Sequence, residues 1–310
     1  MAERPAERPI FEWPTLALMV LCYAVWWLGL TWVADWSLLL AILVTTLTLV
    51  LHSSLQHEVL HGHPFRRRLV NEALVALPLG LLFPFGRFRD LHLAHHRDEF
   101  LTDPYDDPET NFRDPEVWRR MGRPRQMLLL FNNTLLGRML VGPAIGGVAF
   151  LGGDLRAMAR GEWPVWRDWL LHLAGLCLLV WLVGKGSMPG WAYILSAYMA
   201  LSILKIRTFL EHRPHRLARG RSVVVEKGWV LPFLFLNNNL HAVHHCKPNV
   251  AWYRLPAHYR ANRAAYLHRN DGYSYESYGE IARRYFLRGK DPVAHPLWPW
   301  KEKDRAEPGQ

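Results

Sequence analysis

A histidine-rich segment near the C-terminal end of the chain reads Asn237-Asn238-Asn239-Leu240-His241-Ala242-Val243-His244-His245-Cys246. It places three histidines at positions i, i+3 and i+4, which lie on one face of an α-helix. The same spacing occurs once more, at His92, His95 and His96, and an i, i+4 pair stands at His57 and His61. Imidazole suits iron, copper, nickel or zinc. Two H-x-x-H-H groups together with this pair therefore predict a metal site.

The number of histidines indicates more than one metal ion. One zinc or iron ion takes three or four protein ligands, so the set is too large for one ion and sufficient for two. Two metals bound mainly by neutral nitrogen also suit the binding and activation of O2. The nine candidate ligands are His57, His61, His92, His95, His96, His212, His241, His244 and His245.

Residues near these histidines can orient the rings, because a ligating histidine usually donates its second N–H to a carboxylate or carbonyl. Which of them pairs with which histidine stays open. The candidates are Glu58, Asp98, Glu99, Asp103, Asp106, Asp107, Glu109, Glu211 and the run Asn237–Asn239, of which Asn238 is the central residue.

The remaining histidines have other interpretations. His172 lies inside an apolar segment, and we interpret it as a hydrogen-bonded structural residue. His52, His63 and His215 lie near the groups and are possible substitutes for an assigned ligand. His258, His268 and His295 are interpreted as ordinary tail residues.

Four apolar segments predict membrane spans, at Pro14–Val33, Ser37–Leu51, Trp169–Val183 and Gly190–Ile206. Leu69–Phe85 and Gln126–Leu151 are interrupted by Pro, Gly and Asn, so we expect them to lie at the membrane surface. The metal hypothesis requires that Gln126–Leu151 does not cross the membrane. If it did, the histidine group at 241–245 would lie on the opposite side of the membrane from the other two groups. We predict one domain over 1–310, comprising a tail (1–13), two spans (14–52), an interfacial segment (53–168), two spans (169–210) and a cytosolic part (211–310).

Charge supports this layout and argues against nucleic acid as a partner. The chain has 310 residues and a net charge of +10, and 36 of its 37 Lys and Arg fall on one predicted side of the membrane, Lys185 being the exception. The positive-inside rule then places both termini and all histidine groups in the cytoplasm. Arg66-Arg67-Arg68 follows a span directly and is interpreted as a phospholipid anchor. The three cysteines show no C-x-x-C spacing, so no disulfide framework or zinc ribbon is indicated.

The boxes His57-Glu58-Val59-Leu60-His61, His92-Leu93-Ala94-His95-His96 and His241-Ala242-Val243-His244-His245 resemble those of the integral-membrane fatty acid desaturase and hydroxylase superfamily. The run Asp106–Glu109 and the element Arg207–His212 extend the resemblance over roughly residues 40–250. It implies an all-α membrane protein with four transmembrane helices and a cytosolic helical cap. It also implies a non-haem di-iron centre held by the nine histidines, with O2 as co-substrate. Thr208 stands where acyl-CoA desaturases carry an Asn.

The resemblance implies O2-dependent hydrogen abstraction from a lipid or acyl chain, with electrons from a separate ferredoxin, rubredoxin or cytochrome b5 type carrier. Desaturation is the leading hypothesis. Glu58 in the first box leans towards relatives that hydroxylate alkanes or oxygenate carotenoids, so a hydroxylase or ketolase is the alternative. A zinc-binding membrane protein and an intramembrane protease of the H-E-x-x-H type are remote alternatives. We expect the bacterial inner membrane as the location.

Overall fold

The computed structural model describes residues 11–299, so the first ten residues of the predicted tail lie outside the described part. Helices dominate the described residues. They are α1 Trp13–Leu28, α2 Ala34–Trp36, α3 Leu38–Leu60, α4 Arg68–Leu74, α5 Phe85–His95, α6 Pro115–Arg120, α7 Arg123–Asn132, α8 Leu135–Leu140, α9 Gly142–Ala159, α10 Trp163–Val183, α11 Gly190–Thr208, α12 Val230–Leu234, α13 His241–Cys246, α14 Leu255–Ala261, α15 Arg263–Arg269 and α16 Tyr278–Tyr285. A π-helical turn, Gly29–Val33, joins α1 to α2, and short 3-10 turns lie at Asp98–Phe100 and Ala218–Gly220.

Three helical segments of the described chain are long and apolar enough to cross a membrane, namely Trp13–Trp36, Leu38–Leu60 and Trp163–Val183. They correspond to three of the four predicted spans and support membrane association. The fourth, α11, forms as a helix but carries Lys205 and Arg207 in its last turn and does not reach the same hydropathy. Gln126–Leu151 is divided among α7, α8 and α9, none of which is such a span in the part searched.

The described residues form two compact units, the first from 11–85 and 168–197, the second from 86–167 and 198–299. A single domain over 1–310 stays a prediction. In the first unit, the N–H groups of Ser187 and Met188 donate to the carbonyl of Leu30 at 2.8 and 3.0 Å. A Cβ at Gly186 would lie 2.6 Å from the same oxygen, so this close backbone approach requires glycine.

The second unit corrects the prediction of an all-α chain. Strands β1 Val224–Lys227 and β2 Ser274–Ser277 form a two-stranded parallel sheet, with Val224 paired to Ser274. Valine occupies positions 223 to 225, and β-branched residues favour extended structure. The sheet matters for the histidines, because the N–H of Val225 donates to Asn239 at 2.8 Å and the N–H of Ala242 donates to Val223 at 2.9 Å. Strand β1 therefore fixes the start of α13.

Candidate metal centre

Helix α13 is held in place by its apolar residues. Leu240 and Val243 are buried in an apolar cluster with Val224, Leu255 and Tyr259. The histidines at 241, 244 and 245 share one side of the helix, as expected for spacings of three and four residues. Burial of the apolar face thus directs three imidazoles towards the same region of the second unit.

Four imidazoles converge in the second unit, from α5, from the residues after α11 and from α13. We call His95, His212, His241 and His245 the four-histidine group. Each offers one nitrogen, and these nitrogens all lie within 4.8 Å of one another. Nε2 of His212 is 2.9 Å from Nε2 of His95 and 3.1 Å from Nε2 of His241. Four ligands are the number that a tetrahedral metal site takes.

A backbone ladder brings His212 to this group. The N–H of Arg213 donates to Arg221 at 2.9 Å, and the N–H of Val223 donates to Glu211 at 3.1 Å. His212 therefore forms an antiparallel β-bridge with Ser222, directly before β1. Because β1 also holds α13, a single strand places both His212 and His241.

A second set consists of His92, His96 and His244, which we call the three-histidine group. Its nitrogens also lie within 4.8 Å of one another. Nε2 of His96 is 3.0 Å from Nε2 of His92 and 3.0 Å from Nε2 of His244. The two groups are adjacent, since the rings of His96 and His245 stack with centroids 4.3 Å apart. The second unit thus holds seven of the nine predicted ligands in two neighbouring groups.

Hydrogen bonds at Nδ1 fix the tautomers of three rings. Nδ1 of His95 donates to Asp107 at 2.7 Å, and Nδ1 of His92 donates to Glu109 at 2.8 Å. Nδ1 of His241 lies 3.1 Å from the side-chain oxygen of Asn238 and donates to it. In the neutral form of each ring, the proton on Nδ1 leaves a lone pair on Nε2, which is the arrangement of a metal-binding imidazole.

The chemistry of these nitrogens fits a metal ion. In their neutral, metal-binding forms, His95 and His241 both direct an Nε2 lone pair at Nε2 of His212, which carries one proton at most. A single proton satisfies one of these two contacts and leaves the other as two facing lone pairs. A cation among the nitrogens removes that conflict, and an all-imidazole donor set suits iron, copper, nickel or zinc. The residues present therefore fit the metal centre that the sequence predicts.

Burial and neighbouring charges shift the pKa values of these rings in different directions. Burial is the main cause that lowers the pKa of His212 and of His241 well below the ordinary value, and neighbouring histidines lower it further. Burial also lowers the pKa of His95, but the carboxylates of Glu109 and Asp107 outweigh it and raise that pKa to about 9. Neutral imidazole is the form that binds metals.

The first unit holds the remaining predicted ligands. His57 lies in the last turn of α3 and His61 caps that helix, and both are buried. Their ring centroids are 4.9 Å apart. A further buried group in this unit consists of Glu12, Glu58 and His63, in which His63 donates from Nδ1 to Glu12 at 2.8 Å.

The other predicted supporting residues lie in several places. Glu211 approaches His241 Nδ1 at 3.6 Å and pairs with Arg207 at 2.9 Å. Asp103 accepts backbone N–H groups of its own turn, while Asp106 is exposed. Glu58 lies 3.8 Å from His63, and the side chain of Asp98 is outside the described residues.

The remaining histidines make other contacts. Nε2 of His172 donates to the carbonyl of Leu81 at 2.9 Å, as expected for a structural residue. His52 contacts Tyr23, and His215 contacts Asp271. His295 differs from the tail residue that we predicted, because it is 1% exposed and lies 3.1 Å from the hydroxyl of Thr102.

A cavity of about 50 Å³ adjoins the four-histidine group. His95, His212, Glu109, Arg138 and Lys290 are among its lining residues. Its size accommodates about three water molecules. Sequence reasoning missed both Arg138 and Lys290, because each comes from a segment distant in the chain and carries no motif.

Comparison with known families agrees with this geometry. The fatty acid desaturase family model matches residues 30–277, which include all three histidine boxes and His212. None of the curated proteins compared with the chain gives a significant match. The match covers most of the sequence, and the chain therefore belongs to the fatty acid desaturase family, whose members are membrane-associated, metal-dependent oxidoreductases of lipids.

Proposed function

We propose that the chain is an O2-dependent di-iron desaturase that introduces a double bond into a fatty acyl or similar lipid chain. The observation that carries this proposal is the adjacency of the two histidine groups, whose His96 and His245 ring centroids are 4.3 Å apart. Two neighbouring nitrogen-rich sites suit a pair of redox-active ions better than one structural zinc. Family membership supports a lipid substrate.

The nine histidines are the proposed ligands. The four-histidine group offers a full set to one ion, and the three-histidine group offers three ligands to the other. We assign His57 and His61 to this second ion. Their i, i+4 spacing, their burial and the resemblance of the first box support that assignment.

Bound iron supplies the activation of O2 that lets hydrogen be removed from an unactivated C–H bond. The protein's own residues would hold the imidazole rings in position. Asp107 and Asn238 hold the Nδ1 protons of His95 and His241, so that each Nε2 stays directed at the ion. The protein would place one carbon of the acyl chain beside these rings. The position of that carbon then determines which bond is attacked.

The reaction requires reducing equivalents. Desaturation consumes O2, two electrons, two protons and the two hydrogens of adjacent CH2 groups, and it yields a C=C bond and two water molecules. A ferredoxin, rubredoxin or cytochrome b5 type carrier supplies the electrons. We propose that it docks on the basic cytoplasmic side of a protein with four spans and both termini in the cytoplasm.

Product analysis tests the proposal. The chain is expressed with a reductase and electron carrier, and lipids are examined by mass spectrometry, with His244→Ala as the inactive control. Loss of two hydrogens from a lipid identifies a desaturase. Gain of one oxygen identifies the hydroxylase that Glu58 in the first box favours, and it would overturn the desaturase assignment while keeping the iron centre.

Metal analysis tests a third hypothesis, namely that the chain is a zinc-binding membrane protein. Protein purified without oxygen is expected to contain about two iron ions per chain, as the two groups imply. Two zinc ions and no iron in material that alters no lipid would contradict the proposed chemistry.

A further inference from the structure

The last described residues fold back onto the supports of the four-histidine group. We call residues 290–298 the C-terminal strap and residues 99–114 the acidic loop, which carries Asp107 and Glu109. The strap lies beyond the residues that the family model matches. The N–H of Arg113 donates to Val293 and the N–H of His295 donates to Arg113, both at 2.8 Å. The indole of Trp298 donates to Asp114 at 3.2 Å.

Lys290 connects the strap to a histidine of the site. Its ammonium donates to the carbonyl of His212 at 3.1 Å, to the hydroxyl of Tyr273 at 3.0 Å and to the carboxylate of Asp291. Its side chain is 7% exposed. An ammonium group has three N–H donors, and all three are used here. Tyr273 in turn donates to the carbonyl of Leu210 at 2.6 Å, so both residues hold the backbone of 210–212.

His212 depends on this anchoring more than its neighbours do. His95 and His241 each donate Nδ1–H to a buried oxygen acceptor, at 2.7 and 3.1 Å. Within residues 11–299, Nδ1 of His212 meets the hydroxyl of Ser222 at the longer distance of 3.3 Å. A long contact to a rotatable hydroxyl holds a ring weakly, so the position of the His212 ring is determined mainly by its backbone.

We propose that Lys290 is a positioning residue that holds His212 in place, so that the strap sets how tightly the four-histidine group retains its ion. The inference rests on the proposed iron centre. Lys290 donates to the His212 carbonyl and leaves both ring nitrogens available. Its effect is therefore on one ligand of one ion, and the three-histidine group keeps its own.

The test compares Lys290→Met with the unmodified protein and with Lys227→Met. Methionine has a similar length but cannot donate, and Lys227 is a matched control on the exposed side of β1, with 70% of its side chain exposed. Each protein is loaded with Fe2+ without oxygen and challenged with an iron chelator. Release kinetics and Mössbauer spectra report the two ions separately.

We expect Lys290→Met to hold one of its two ions about 10- to 100-fold more weakly, the range for outer-shell partners of metal ligands. The other ion is held as in Lys227→Met, while the melting temperature falls by a few degrees because buried acceptors lose their donor. Tight retention of both ions, or equal loss of both, would overturn the inference. If Lys290→Met does not fold, Tyr273→Phe is measured instead. We expect this variant to hold the same ion more weakly, by a smaller factor, and to retain the other ion. Failure of the unmodified protein to bind iron would instead contradict the proposed function.

Discussion

The four-histidine and three-histidine groups are neighbours but are supported differently. Asp107 and Asn238, which support the first group, are 4% and 3% exposed, and the group obtains all four imidazoles from one unit. Glu109, which supports His92, has 29% of its side chain exposed, and this unit gives the second group three imidazoles. A buried partner orients its histidine more firmly than a partly exposed one, because water can take the place of an exposed partner. We therefore expect the ion proposed for the four-histidine group to be the more tightly held.

The largest expected effect comes from removing a ligand of the four-histidine group. His241→Ala leaves three imidazoles in this group and removes the ring that Asn238 orients. Product formation is expected to fall to background, and iron to fall to about one ion per chain, because the second group keeps its ligands. Measurable turnover with two ions bound would show that His241 is not a ligand.

The complementary change removes a proposed ligand of the other ion. His61→Ala is expected to abolish product formation as completely as His241→Ala does. The second ion should be held more weakly, because four of its five proposed ligands remain, while the Mössbauer signal that His241→Ala removes should be retained. His215→Ala is the control, since that ring contacts Asp271 instead. Full activity of His61→Ala would refute the assignment of the first box to this ion.

A smaller effect is expected for Asp107→Asn. Asp107 uses both oxygens, one for His95 and the N–H of Glu109, the other for the N–H of Thr102 at 2.9 Å. A carboxamide offers one acceptor oxygen and no charge, so we expect a 10- to 100-fold loss of iron affinity, roughly the usual range for such partners. Asp106→Asn, at the exposed neighbour, is the control. Equal behaviour of the two variants in a chelator competition would contradict the assignment.

Glu109→Gln removes the charge that supports His92 in the three-histidine group. Its carboxylate holds His92 at 2.8 Å but is partly exposed, so water can replace part of its role. We expect a loss of iron affinity of about 10-fold, at the lower end of the range given for Asp107→Asn. The loss should affect the less tightly held ion. Chelator release from this variant and from Asp107→Asn, measured side by side, checks the order. A larger effect for Glu109→Gln would reverse the ranking of the two groups.

The sequence could predict the histidine groups because the spacing of residues within a short segment determines which side chains lie together. Spacings of three and four residues place His92, His95 and His96 on one helical face whatever else the chain does. The choice between Asp106 and Asp107 was not accessible, because the turn of the acidic loop buries one carboxylate and exposes the other. Lys290 and His295 reach the site across 78 and 193 residues, from His212 and Thr102 respectively, and no local pattern marks such contacts. Strand β1 differs from these contacts, because the run of valines at 223 to 225 is a local pattern that favours extended structure.

Arg221 provides the mildest test, since it supports the site without orienting a ring. Its buried guanidinium donates to the carbonyls of Glu99, Leu101 and His215 at 2.9 to 3.1 Å, and so joins the acidic loop to the segment after His212. Arg221→Met leaves these carbonyls without that donor. Each carbonyl that stays buried and unsatisfied lowers the free energy of unfolding by about 1–3 kcal/mol.

We therefore expect a melting temperature several degrees lower for Arg221→Met, roughly as such a loss predicts for a chain of this size. Both ions should be lost together as the protein unfolds, because the residue joins the supporting segments and favours neither group. Arg216→Met, at an exposed arginine of the same segment, should melt like the unmodified protein. Selective loss of one ion below the melting transition would show that Arg221 orients a ligand, and the difference between the two groups would then depend on this arginine as well as on Asp107.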